Sequence, residues 1–123
     1  MVIDRRVDEG KPIRFFGRDK LSTLMPARLA IKFSCDMVPV QVERLQDAHF
    51  RVIFHPPIKP DLKCLDEEAR ALDMMQQVHK QFEDWIRAQP EDWFCSKRLW
   101  PTTGKIEQSE EAGDEADIDS YAA

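Results

Sequence analysis

The sequence predicts an α/β fold for residues 1–101, with a short mixed sheet, a hairpin and a long C-terminal helix. Three observations support this. Short apolar segments of strand length fill the first half, the segment 65–86 repeats apolar residues every three to four positions, and 123 residues suffice for one domain at most. The order strand, strand, helix, hairpin, helix is typical of part of an α/β sandwich.

The first two predicted strands are short. Val2-Ile3 is expected to end a buried strand that delivers Asp4 to a loop. Residues 13–16 are expected to form another strand, which Gly17 stops because glycine accepts backbone conformations that other residues avoid.

A helix and a hairpin are predicted next. Apolar residues favour a helix over 23–33, and Pro26 is acceptable there only in the first turn. Alternating apolar residues over 38–44 and 50–54, separated by a polar turn, predict a β-hairpin. Pro39 marks an edge or the start of a strand.

The last element is a helix from Glu67 to about Ala88. Asp66 is a suitable N-cap, and Pro90 ends the helix. Its expected buried stripe consists of Leu65, Ala69, Leu72, Met75, Phe82, Trp85 and Ile86.

Charge is unevenly distributed. Residues 102–123 carry seven carboxylates and one lysine, a net charge of −6, which leaves about +1 for residues 1–101. This acidic tail is predicted to be disordered and solubilising, with a role as an acidic docking tail as the alternative.

Residues 4–32 carry eight basic and four acidic residues, a surplus of positive charge that suits phosphate or anionic lipid. Nucleic acid is disfavoured because aromatic residues are not interleaved with the cations, apart from Phe15 and Phe16.

The three cysteines predict no metal or disulfide framework. Cys35, Cys64 and Cys95 are widely spaced and contain no C-x-x-C pair, so neither zinc nor disulfides are indicated. Buried thiols in a reducing compartment are expected instead. No signal peptide and no apolar run near 18 residues is present, so no membrane span is expected.

Six short motifs occur in order along the chain. They are Asp4 to Gly10, Phe15-Phe16-Gly17, a small-residue helix after Thr23, Val38-Pro39-Val40, the hairpin end Pro56-Pro57, and Pro90-Glu91-Asp92-Trp93 running into the basic stretch Lys97 to Pro101. None is specific alone, but together they resemble the C-terminal half of the lipid A lauroyl/myristoyl acyltransferases, a branch of the glycerolipid acyltransferase superfamily. The resemblance implies a partial glycerolipid-acyltransferase-like sandwich.

The resemblance also implies roles for individual residues. Asp4 matches an acidic residue that lines the family's active-site region, and Arg5 or Arg6 would meet a phosphate or the acyl-carrier thioester. A solvated basic loop is the alternative for both arginines. The Phe16-Gly17 turn corresponds to the superfamily's third motif, where backbone helps to hold the acceptor. Thr23 would add a hydroxyl or simply cap the following helix.

No catalytic residue is predicted. The superfamily uses a His-x4-Asp/Glu motif, in which the histidine is the general base. His79 and Asp84 match the letters, but residues five apart in a helix point about 140° apart, so the match is interpreted as coincidence. His49 and His55 are expected to be ordinary strand-end histidines. Cys95 and Lys97 also stand where many family members carry a Trp-x-His-x-Arg pattern. Trp93, Phe94 and Trp100 are expected to pack on the core, with contact to an acyl chain or a membrane interface as the alternative.

Two functions of different classes follow. The first is an acyltransferase-family protein that transfers a fatty acyl chain from acyl carrier protein to a lipid A precursor, truncated and inactive alone. The second is a non-catalytic protein that binds anions or lipid headgroups; a decayed remnant without a stable fold is a third option. The resemblance implies no cofactor, no metal, contact with the membrane surface and a place at the cytoplasmic face of the bacterial inner membrane, although the chain could be soluble.

Overall fold

The computed structural model describes residues 3, 5–63, 65–93, 95 and 98–100, and within them it confirms the α/β class. The elements are two helices and two separate antiparallel strand pairs. In chain order they are β1 (Lys11–Phe15), β2 (Arg18–Ser22), α1 (Met25–Lys32), β3 (Val40–Arg44), β4 (Phe50–Phe54) and α2 (Glu67–Ala88), followed by a 3₁₀ turn at Pro90–Asp92. No parallel pairing occurs among these described strands.

The first hairpin joins β1 to β2 through a turn of two residues, Phe16 and Gly17. Both have positive φ angles, 50° and 72°, as the tight turns that match the twist of a hairpin require. The sequence predicts β1 but misses β2, since Arg18-Asp19-Lys20 resembles a polar loop. In the structure, however, Lys20 and Ser22 are fully buried.

Helix α2 forms the centre of the fold and packs against both β1 and α1. Its predicted bounds, its Asp66 cap and its end before Pro90 are confirmed, and the Asp66 carboxylate accepts the Ala69 N–H at 2.6 Å. The buried face differs from the predicted stripe: Leu65 precedes the helix and is exposed, and of the other predicted residues only Met75 is buried. The buried residues of α2 are Ala71, Met74, Met75, Val78, His79 and Glu83. The main core cluster comprises Ile13, Leu24, Ala27, Ala30, Ile58, Ala71, Met74, Met75 and Val78.

Two polar side chains of α2 complete the outer edge of β1. The Gln76 amide accepts from the Arg14 N–H at 3.0 Å and donates to the Arg14 carbonyl at 2.8 Å. Two turns later, Glu83 accepts the Phe16 N–H at 2.8 Å. Because these residues share one helix face, α2 occupies the position that a neighbouring strand would take and satisfies groups that an open edge leaves unpaired.

Helix α1 is shorter than predicted. It begins at Met25, with Pro26 in its first turn as expected, and Leu24 occupies the N-cap position. The Thr23 hydroxyl accepts the Met25 N–H at 3.1 Å, so Thr23 supports the helix start. Arg28 joins α1 to the first turn of α2 through both carboxylate oxygens of Glu68, at 3.1 and 2.8 Å.

The second hairpin has the predicted alternation, but its apolar side faces solvent. Val42 pairs with Val52 and Val40 with Phe54, so their side chains share one face, on which Phe54 is 73% exposed. The opposite face approaches α2, where the His55 ring lies 4.6 Å from the Trp85 ring. The period of the sequence therefore predicts the strands correctly without indicating which face is covered.

Some expectations need correction or fall outside the description. Ile3 belongs to no strand, and the described thiols of Cys35 and Cys95 are exposed, so the prediction of buried thiols is wrong for both. Val2, Asp4, Cys64, Phe94, Lys97 and the tail 102–123 lie outside the described residues. Neither α1 nor α2 has the length and apolarity needed to cross a bilayer.

Candidate functional site

An aromatic cluster surrounds the Phe16-Gly17 turn. The Phe15 ring stacks on Trp100 at 6.1 Å and meets Phe16 edge-on at 4.7 Å, and Trp93 lies 6.0 Å from Phe16. The Trp100 indole N–H donates to the Phe15 carbonyl at 3.1 Å. Trp93 and Trp100 therefore pack on β1 and its turn, as the sequence analysis expects of them.

A cavity of about 390 Å³ opens beside this cluster, between β3 and α2. Most of its lining is apolar, including Phe15, Phe82, Trp85, Ile86 and Trp93. Gln41, Gln89 and Asp92 supply polar groups at its wall. Its size and mixed lining are those of a pocket for a small or elongated apolar ligand.

The loop before β1, residues 5–10, is held against β2. The Val7 N–H donates to the Leu21 carbonyl at 3.1 Å, and the Gly10 N–H donates to the Val7 carbonyl at 2.9 Å. Gly10 lies so close to Ser22 that a Cβ atom would stand 2.5 Å from the Ser22 carbonyl oxygen. This close approach gives the loop a defined path across the end of the hairpin.

The predicted site residues differ in how exposed they are and in whether their polar groups already have a partner within the protein. Arg5 is exposed, whereas Arg6 is half-buried and forms an ion pair with Asp8 at 2.7 Å. Phe16 has its N–H engaged by Glu83, but Gly17 faces open space, with nothing within 4 Å of a Cβ position. Thr23 is half-buried and already accepts a hydrogen bond at the start of α1.

Histidine 79 is closed to any substrate. Its side chain is fully buried, its Nδ1–H donates to the Met75 carbonyl at 2.8 Å, and Nε2 accepts from the Lys20 ammonium at 3.2 Å. Burial, followed by the nearby charge of Lys20, lowers the pKa of His79 from 6.5 to about 4. The interpretation of His79 and Asp84 as a coincidental match agrees with this environment.

The two other histidines also lack a carboxylate partner. His49 Nδ1 lies 3.2 Å from the Gln46 carbonyl oxygen, and His55 Nε2 lies 3.1 Å from the Gln41 side-chain oxygen. The described part of the chain therefore presents no open His–carboxylate pair. It also contains no group of three side chains suited to holding a metal ion.

Three polar residues of this region are not predicted by sequence patterns. Lys20 is fully buried and donates to the Ile3 carbonyl at 3.2 Å as well as to His79. Gln76 and Glu83 bind the backbone of β1 and its turn. Each lies on an amphipathic segment where solvent exposure would be the ordinary expectation, so no local signal distinguishes them.

Comparison with known protein families supplies the decisive observation. Residues 1–102 match the family described as bacterial lipid A biosynthesis acyltransferase. The chain belongs to this family. The match covers the loop before β1, both hairpins, both helices and the aromatic cluster, and so confirms the resemblance drawn from the six motifs. No curated protein matches the sequence significantly.

The cavity and the Phe16-Gly17 turn both lie within the residues that match the family. In this lipid A acyltransferase family member, an apolar cavity and an exposed glycine turn both border Phe15: the cavity is lined by its side chain, and the turn directly follows it. The cavity and the turn are therefore adjacent.

Proposed function

We propose that this protein serves fatty acyl transfer from an acyl-carrier thioester to a lipid A precursor, and that its described residues supply binding surfaces. The observation that carries the proposal is the apolar cavity beside the Phe16-Gly17 turn. The acyl chain lies in the cavity, along Trp85, Ile86 and Trp93. The acceptor headgroup lies at the exposed Gly17 backbone.

The charged part of the substrates suits Arg5, in the loop before β1. Arg5 is exposed and in no ion pair with the described residues, and a guanidinium offers paired donors to phosphate oxygens. Asp4 belongs to the same proposed acceptor site by family resemblance. Acyl transfer takes place at the cytoplasmic face of the bacterial inner membrane in this proposal.

The general base is not among the described histidines. His79 is buried beside a lysine, and a base must reach the acceptor hydroxyl within hydrogen-bond distance. In this proposal the chain supplies surfaces that bind substrate and is expected to be inactive alone.

A charge placed in the cavity wall tests the acyl site. Ile86→Lys is expected to weaken binding of dodecanoate about tenfold or more, because an ammonium group is costly to bury in an apolar pocket. Titration is followed by the fluorescence of Trp85 and Trp93, which line the cavity. Ala88→Lys is the matched control, since it adds the same charge to the exposed end of α2. Equal affinity for all three proteins, or no binding by the wild type, would remove the cavity from the proposal.

A second candidate is a non-catalytic protein that binds anionic lipid headgroups, which the closed environment of His79 favours. In this case Arg5→Ala is expected to weaken binding to anionic phospholipid vesicles by roughly threefold to tenfold at low salt. Arg6→Ala should have a smaller effect because Arg6 already pairs with Asp8. Sedimentation at two salt concentrations measures the difference, which should shrink at high salt. Detectable acyl transfer to a lipid A precursor by the purified chain would exclude this second candidate and would also contradict the expectation that the chain is inactive alone.

A further inference from the structure

The turn between β1 and β2 contains a strained residue. Phe16 has a φ of 50°, in the left-handed region that bulky side chains rarely adopt. Such a conformation persists only when its surroundings impose it, and it is common at functional sites. Gly17, at a φ of 72°, carries no such strain because it lacks a Cβ atom.

The contacts that impose this conformation come from the last turns of α2. The Phe16 N–H donates to Glu83 Oε1 at 2.8 Å, and the Glu83 side chain is nearly buried. The other carboxylate oxygen, Oε2, lies 3.2 Å from Arg87 Nη1 and 3.8 Å from Lys80 Nζ. The Arg87 guanidinium in turn lies 5.0 Å from the centre of the Phe16 ring.

These contacts fix the orientation of the carboxylate and of the turn together. Lys80 and Arg87 hold the Glu83 carboxylate so that its other oxygen is aimed at the backbone, because both cations pair with its distal oxygen. A charged acceptor forms a stronger hydrogen bond with the Phe16 amide than a neutral one would. Since the Phe16 N–H is thereby occupied, the open side of the turn is the Gly17 backbone.

We propose that Glu83 is a positioning residue, which holds the Phe16-Gly17 turn so that the Gly17 backbone meets the acceptor headgroup. This inference rests on the proposed function, in which the turn contacts the acceptor. Glu83 itself touches no substrate. It acts through Phe16, with Arg87 and Lys80 holding its carboxylate in place.

Three variants separate this role from a general contribution to stability. Glu83→Ala removes the acceptor of the Phe16 N–H, whereas Glu83→Gln keeps a side-chain oxygen there and loses only the charge. Asp84→Ala is the matched control, because Asp84 also pairs with Lys80 and Arg87 but makes no contact with the turn. Thermal unfolding of each variant establishes that it is folded.

The first readout is hydrogen exchange of the Phe16 amide, which is independent of any ligand. Exchange is expected to rise about tenfold or more in Glu83→Ala, to stay within about threefold of wild type in Glu83→Gln and to be unchanged in Asp84→Ala. Unchanged exchange in folded Glu83→Ala overturns the proposal.

The second readout is affinity for lipid A carried in neutral phosphatidylcholine vesicles. Glu83→Ala is expected to lose about tenfold in affinity, with substantial recovery in Glu83→Gln and none of the loss in Asp84→Ala. Faster exchange with unaltered affinity means that Glu83 has only a structural role, which overturns the inference while sparing the acyl site. Absence of binding by the wild type refutes the acceptor part of the proposed function, and the exchange data then decide separately whether Glu83 holds the turn.

Discussion

Replacing Gly10 by alanine is expected to lower the free energy of unfolding by roughly 2–4 kcal/mol, among the largest effects of any single methyl group in this protein. The added Cβ atom would lie 2.5 Å from the carbonyl oxygen of Ser22, 2.6 Å from its carbonyl carbon and 2.7 Å from its nitrogen. All three are backbone atoms, so the strain cannot be relieved by rotating a side chain. Either the loop before β1 or the end of β2 has to move.

Gly17→Ala is the matched comparison for Gly10→Ala. Its Cβ atom would meet open space, so the cost comes only from the positive φ angle and should be roughly 1–2 kcal/mol. Urea unfolding monitored by tryptophan fluorescence measures both. A larger loss at Gly17 than at Gly10 would mean that the loop does not lie against Ser22.

The same substitution bears on function because Gly10 ends the loop that carries Arg5 and Arg6. Moving this loop away from β2 would displace Arg5 relative to the turn, while leaving the wall of the cavity formed by Phe82, Trp85, Ile86 and Trp93 in place. Gly10→Ala is therefore expected to weaken binding to anionic vesicles while leaving dodecanoate binding unchanged. A variant that lost both would be unfolded rather than rearranged.

Local sequence signals were sufficient for several elements. The α2 helix was predicted with its bounds because a cap, a regular apolar repeat and a terminating proline are all encoded within about 25 residues of sequence. The β3–β4 hairpin followed from its two-residue period. Both signals involve only residues close together in the sequence, so a single sequence is enough to detect them.

The elements and residues that the sequence does not predict depend on contacts between residues that are distant in the chain. Strand β2 was overlooked because Lys20 resembles a surface residue until His79, 59 positions later, supplies an acceptor in the core. Glu83 similarly resembles a solvent-facing helix residue until it meets the Phe16 amide, 67 positions away. Buried polar residues of this kind are tolerated only when partnered, and the partners come from the tertiary fold. The family resemblance predicts Phe16 and Gly17 as site residues, but it does not point to Glu83, which accepts the Phe16 N–H.

The buried pair of Lys20 and His79 is expected to make the stability of this protein fall as the pH is lowered from about 6.5 to about 4. Burial and the Lys20 charge lower the pKa of His79 to about 4, although the Met75 hydrogen bond and Glu83 partly oppose this shift. In the unfolded chain the same histidine has its ordinary pKa of 6.5. Between the two values the unfolded state binds a proton that the folded state does not, so unfolding is favoured increasingly as pH falls. The contribution is complete above pH 6.5 and is lost below about pH 4.

A shift of this size corresponds to about 3 kcal/mol between the two plateaus, to order of magnitude. The measurement is urea unfolding at several pH values between 4 and 7, on the wild type and on His79→Gln. The glutamine variant should be less stable at pH 7, because it packs less well beside Lys20, but it should lack the histidine's part of the pH dependence. Subtracting the two curves removes the contribution of carboxylates that titrate in the same range. If the two proteins lose stability in parallel, His79 is not held neutral in the folded core, and the close contact between its Nε2 and the Lys20 ammonium cannot persist in solution.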